Sequence, residues 1–159
     1  MKKKTLILFA VTILLMACSE QTENAAYVNA FIGTGAHGHT FPGATTPSGM
    51  VQLSPDTRVG NWDACSGYHY SDSGILGFSH THLSGTGSID LGDLLIRPTL
   101  QSLSSIVADG KITTTSFKHA DEVATPGYYK VLLDKESITC ELTATRRTGI
   151  HRYSFPDGA

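Results

Sequence analysis

Seven histidines are spread over 159 residues, and four of them come as two His-x-His pairs, His37/His39 and His80/His82. In an extended chain residues i and i+2 share a face, so each pair can turn two imidazoles to one side. Two such pairs brought together would suit zinc or copper. Histidines in Gly-, Ser- and Thr-rich loops also serve as plain hydrogen-bonding groups. No further ligand is fixed by spacing, so no metal is assigned to these residues. A second group runs from Asn61 to Tyr70. It holds the only Trp, Trp62, with Asp63, Cys65, Tyr68 and His69 close by. An indole face beside carboxylate and amide groups is what sugar binding needs: the face stacks on the apolar side of the ring and the polar groups take the hydroxyls. The same residues would equally suit a core Trp anchoring a loop. Asp90 and Asp93 are too near in sequence to suggest an acid/base pair and read as turn or surface carboxylates. Gly33-Thr34-Gly35 lacks the strand–turn–helix surroundings of a nucleotide loop and reads as a packed glycine-rich loop.

Short strands and turns must hold these groups. From Tyr27 to Asp93 the chain is rich in Gly, His and Pro; from Leu94 to Phe155 it reads as regular strands. Residues Ile138 to Thr145 alternate apolar and polar with period two, the pattern of a half-buried strand. Gly127 to Leu133 is aromatic and branched, and Asp134 to Ser137 is a polar connection of hairpin length. In Gly149 to Phe155, Ile150 and Arg152 face opposite His151 and Tyr153. Ile112 to Phe117 is Thr-rich and strand-prone. Pro126-Gly127 and Pro156-Asp157-Gly158 mark turns. No stretch keeps helical periodicity over three turns. The expectation is an all-β fold, an antiparallel β-sandwich.

Composition narrows the partners. With 14 acidic and 12 basic side chains the formal net charge is −2, which argues against nucleic acid as a partner. Charged residues are 16% of the chain, below the roughly 25% of an average globular protein, so a solvated disordered chain is not expected. The length suits one domain. Met1 to Lys4 is basic and Thr5 to Met16 is an apolar run. That run is shorter than the about 20 residues a membrane span needs, and it has signal-peptide anatomy. Leu15-Met16-Ala17-Cys18 resembles a bacterial lipobox. The expected division is a lipoprotein signal peptide over 1–17, lipidation of Cys18, a tether over 18–26 and a domain over 27–159. The protein would then be anchored by lipid in the cell envelope, at the outer membrane surface or in the periplasm. An ordinary secretory signal cleaved slightly later is the alternative. Cys65 and Cys140 are expected as two free thiols, Cys140 as a small buried hydrophobe.

Beyond these patterns, Tyr27 to Gly35 and His37 to Ala44 together resemble the opening of family 92 glycoside hydrolases, the calcium-dependent α-mannosidases. The similarity continues, in order, through Gly49 to Thr57, Cys65 to Tyr70, Gly77 to Gly87, Asp121 to Tyr129, Glu141 to Thr145 and His151 to Tyr153. One departure is Ser48, where the family usually has Phe; the change loosens packing there. The resemblance implies the N-terminal β-sandwich of a two-domain glycosidase, packed in the intact enzyme on a helical (α/α)6 barrel that this chain lacks. It implies exo-acting hydrolysis of α-mannosidic bonds with inversion, a Ca²⁺ ion in the intact enzyme that helps distort the mannose ring, and a mannose-containing glycan as substrate. Inversion needs an acid and a base separated by room for water. The family keeps both in the helical domain, so no catalytic residue is assigned here and this chain alone is expected to be inactive. The resemblance places Trp62, Asp63 and Cys65 at the rim of the mannose pocket. It puts His80 and His82 at the domain interface or in the pocket wall, and the loop from Gly33 to Gly43 against the helical domain. A stand-alone glycan-binding module and an inactive fragment are the competing readings.

Overall fold

A computed structural model describes residues 24–88 and 92–158. The leader, Cys18 and Asp90 lie outside the described residues. In chain order the strands are β1 (Ala44–Thr45), β2 (Gln52–Asp56), β3 (Gly74–Ile75), β4 (Gly77–Ser79), β5 (Val107–Ala108), β6 (Lys111–Ile112), β7 (Thr115–Ser116), β8 (Val123–Thr125), β9 (Tyr128–Leu133), β10 (Ile138–Ala144) and β11 (Gly149–Ser154). The one α-helix among the described residues, α1 (Leu103–Ile106), is a single turn. Single 3-10 turns form at Asn24–Tyr27, Trp62–Ala64 and His119–Asp121.

Two antiparallel sheets build the core, one ordered β11-β10-β9-β8 and the other β1-β2-β4. Period-two alternation works as the sequence suggests. β9 buries Tyr129, Val131 and Leu133; β10 buries Ile138, Cys140, Leu142 and Ala144. In register, Leu142 sits opposite Tyr129 and Cys140 opposite Val131, so one face of the hairpin is continuously apolar. β1 and β2 lie against that face, adding Ala44 and Leu53, and β4 adds Phe78. Each fully buried aliphatic side chain contributes about 1.5–3 kcal/mol. The outer face of the hairpin is polar. There Arg152 grips Glu141 with two hydrogen bonds of 2.6 Å, and the Tyr128 hydroxyl donates to the same carboxylate.

Turn chemistry matches the connections. Thr125 pairs with Tyr128 across Pro126-Gly127, and Gly127 has φ 77°. A proline followed by a residue of positive φ is what a type II turn demands. Pro55 sits inside β2, where proline is unusual. Its partner Phe78 turns its N–H and C=O to Ile96 instead, and the pairing of β1 with β2 has already ended at Leu53, so the missing N–H deprives no strand. The expected strand over 112–117 is broken: Ile112 pairs with Val107 and Thr115 with Ile75, in two separate ribbons.

A polar knot joins the loops to the main sheet. The Glu122 side chain is fully enclosed and accepts hydrogen bonds from the Tyr68 and Tyr129 hydroxyls and from the His119 ring. Burial first, and the neighbouring Glu122 charge second, push both phenols well above their ordinary range. They therefore remain donors. Tyr129→Phe is expected to lower stability by about 1.5–3 kcal/mol, the range for a hydrogen bond to a charged group, read from urea unfolding. A loss below about 0.5 kcal/mol, the scale of a neutral surface change, would refute the knot's structural role.

Candidate functional site

Trp62 and Asp63 stand on the 3-10 turn Trp62–Ala64, at the tip of an excursion between β2 and β3. The excursion is tied at its base. Thr57 donates its N–H to the Gly67 carbonyl (2.8 Å) and its hydroxyl to Asp72 (2.7 Å), while Arg58 pairs with the same Asp72 carboxylate. The glycine-rich loop lies beside it, fastened by the Tyr70 N–H to the Thr34 carbonyl (2.8 Å) and by a hydrogen bond between the His69 ring and the Ala36 carbonyl (3.1 Å). The two loops thus bring residues 37–39 against residues 62–63.

At the junction His37 Nδ1 lies 2.6 Å from Asp63 Oδ1, and His39 Nε2 lies 3.7 Å from the same oxygen. Both imidazoles flank the indole, with ring centroids 4.2 Å (His39, edge-on) and 5.3 Å (His37, tilted) from Trp62. Gly87 completes the seat: a Cβ there would stand 3.0 Å from the indole Nε1. Trp62 is nonetheless 55% exposed. The hydrogen bond from His37 holds the Asp63 carboxyl below the usual carboxylate range, partial burial opposing it and His39 adding to it. A fixed, exposed indole edged by an ionised carboxylate results. It can cover an apolar sugar face and accept hydroxyl hydrogen bonds.

The remaining sequence-derived site residues are distributed around this point. Cys65 is buried, with its thiol donating to the Thr86 carbonyl (2.8 Å). It shares with Asp56 and His82 a cavity of about 80 Å³ directly behind the loop. His82 is buried and faces acceptors on both sides, the Gln52 carbonyl (2.7 Å) and the Asp56 carboxylate (3.0 Å). Cys65 and His82 thus lie on the inner side of the loop, lining that cavity with Ala64 and Gly67. His80 lies elsewhere, its Nδ1 on the Leu94 carbonyl (3.1 Å) and its Nε2 3.1 Å from His151 Nε2. The two His-x-His pairs therefore do not share one centre. His37 and His39 meet Asp63, His82 meets Asp56, and His80 meets His151, partners too distant in sequence for local spacing to reveal. Cys65 and Cys140 are both free and buried.

The model of the glycosyl hydrolase family 92 N-terminal domain matches residues 27–159. This chain belongs to that family. It is 38% identical, with a TM-score of 0.72, to the family 92 α-mannosidase of Bacteroides thetaiotaomicron solved with mannoimidazole, over 83% of this chain and 18% of that one. A family 92 inverting mannosidase from the same species is 26% identical, with a TM-score of 0.64, over 88% of this chain and 19% of that one. An uncharacterized secreted glycosidase of Arthroderma benhamiae is 28% identical over 96% of this chain and 20% of its own length. The chain thus spans about a fifth of the length of these relatives, as their N-terminal domain. The all-β antiparallel fold agrees with that membership.

The Ca²⁺ that the family resemblance implies can be tested against the donors here. Among the described residues one group of three metal-ligating side chains draws together, His37, His39 and Asp63. Ca²⁺ takes six to eight oxygen ligands. Two of these three donors are imidazole nitrogens, so this group does not fit Ca²⁺.

His151 supplies a pH test of the second histidine cluster. Burial, reinforced by His80 alongside, lowers its ring from the ordinary 6.5 to about 4. The unfolded chain then takes the proton first. The stability that depends on the neutral ring is complete above about pH 6.5 and is lost as pH falls from there through about 4. His151→Gln is expected to flatten the denaturation midpoint of the full chain across this window relative to the parent. Parallel pH profiles for the two would overturn the assignment.

Proposed function

We propose that this chain is the N-terminal part of an exo-acting, inverting α-mannosidase, and that its Trp62 loop forms one wall of the mannose pocket. The observation that carries the reading is the exposed indole clamped between His37, His39 and Gly87, with the Asp63 carboxylate at its edge. Trp62 would pack on the apolar side of a mannose ring and Asp63 would accept from its hydroxyls, with Cys65 and His82 holding the loop from behind. The solved family member with mannoimidazole supports mannose as the sugar, and the family 92 inverting mannosidase supports the stereochemical course.

The acid and base of the reaction, and the ligands of a Ca²⁺ in the intact enzyme, would come from the helical domain. A surface suited to that domain is the open groove of about 700 Å³ around Met50, Leu94 and His80, where Met50 and Leu94 are 71% and 76% exposed. Exposed apolar patches of this kind mark interaction surfaces, and His80 then stands at the interface. The leader and Cys18 would place the enzyme in the cell envelope on a lipid anchor, with mannose-containing glycans within reach.

Mannose titrated into the full chain is expected to change Trp62 emission saturably in the millimolar range, and Asp63→Ala is expected to abolish the change. An emission that does not respond, or responds equally in the variant, would overturn the pocket. The full chain with Ca²⁺ is expected to release no mannose from an α-mannoside. Release would overturn the assignment of the acid and base to the helical domain.

A further inference from the structure

We propose that His37, His39 and Asp63 form a binding site for one divalent transition metal ion, zinc in the first place, at the lip of the Trp62 loop. One atom from each side chain lies within 4.8 Å of the others. Zinc bonds to nitrogen and oxygen of about 2.0–2.2 Å place tetrahedral ligands roughly 3.3 Å apart. The observed separations from Asp63 Oδ1, 2.6 Å to His37 and 3.7 Å to His39, bracket that spacing. His37 is the exposed member, its side chain 71% accessible, and a small rotation opens the shorter gap. His39 and Asp63 supply the rigid part.

The decisive observation is His39. Its side chain is 94% enclosed, being 6% accessible. Its Nε2 is buried and has no hydrogen-bond partner among the described residues. A buried polar nitrogen left unpaired is unfavourable, and this one lies 3.7 Å from the Asp63 carboxylate, beyond hydrogen-bonding range. A metal ion is a partner that satisfies this nitrogen and the carboxylate together. The donor set, two imidazoles and one carboxylate, suits borderline ions such as Zn²⁺ and disfavours the oxygen-seeking Ca²⁺ and Mg²⁺. Trp62 closes one side of the cluster, and the exposed side leaves room for a fourth ligand from solvent, the arrangement of an open zinc site. The site does not depend on the mannose reading, because its donors and their geometry stand without a sugar.

The full chain, solubilised in detergent and stripped with EDTA, tests this. Competition with a chromophoric zinc chelator is expected to show one Zn²⁺ per chain. Co²⁺ as a probe is expected to give visible d–d bands and to quench Trp62 emission. His37→Ala changes an exposed position and leaves the core intact; it is expected to weaken Zn²⁺ binding more than about tenfold, at least what loss of an outer-shell partner produces. Asp63→Ala is expected to do the same, and His80→Ala to leave binding unchanged. Unaltered affinity in His37→Ala, equal loss in His80→Ala, or an intense near-ultraviolet Co²⁺ band that reports thiolate ligation would each overturn the site. Mannose titration of the stripped chain probes the carbohydrate wall separately, so either inference can fail alone.

Discussion

The buried carboxylate of Glu122 sets the condition that the loops must meet. A carboxyl group enclosed in protein is costly unless hydrogen-bonded, and here its donors arrive from three places: Tyr68 from the Trp62 excursion, Tyr129 from β9 and His119 from the turn before β8. The tie passes outward through ring contacts. His119 stacks on Tyr70 at 4.1 Å, and Tyr70 meets Phe31 edge-on at 5.7 Å. The glycine-rich loop, which carries His37 and His39, is therefore located by a chain of contacts that begins inside the sheet. Polar and aromatic contacts thus tie these loops to the sheet, beside the packing of Phe31, Phe41 and Tyr68 on the core.

The consequence for the candidate site is a division between what is fixed and what is free. Cys65, His82 and Asp56 are buried and spent on internal bonds, Cys65 to Thr86 and His82 to Asp56. Trp62, Asp63 and His37 face outward, and His39 stands at the boundary between the two groups. Asp63 is shared: the same oxygen faces both imidazoles while the carboxylate borders the indole. A sugar hydroxyl and a metal ion would compete for one carboxylate, so occupancy by one would alter affinity for the other.

Local pattern revealed the long hairpin well. Residues 128–133 and 138–144 alternate cleanly because one face of each strand is buried and the other solvated. Shorter elements escaped, since a two- or three-residue strand such as β1 or β8 has no period to detect. Across 112–117, β-propensity was present but tertiary partners divided the segment between two ribbons. The aromatic and carboxylate members of the loop site, Trp62 and Asp63, stood out by residue type. Their relation to His37 and His39 did not, because it closes between irregular segments far apart in sequence, 26 residues in the case of His37 and Asp63. The Glu122 knot was equally hidden: its Tyr68 donor lies 54 residues earlier, and each partner alone looks ordinary.

His39 unites two penalties at one position. Its backbone is left-handed, with φ 52°, a conformation that disfavours any residue with a Cβ, and its enclosed Nε2 lacks a protein partner among the described residues. A glycine there would relieve both. Glycine would also forfeit the edge-on contact of 4.2 Å between this ring and Trp62, so the imidazole steadies the indole at a cost in backbone conformation and hydrogen bonding. A ligand role for its imidazole, as proposed for the metal site, would account for a histidine kept at such a position.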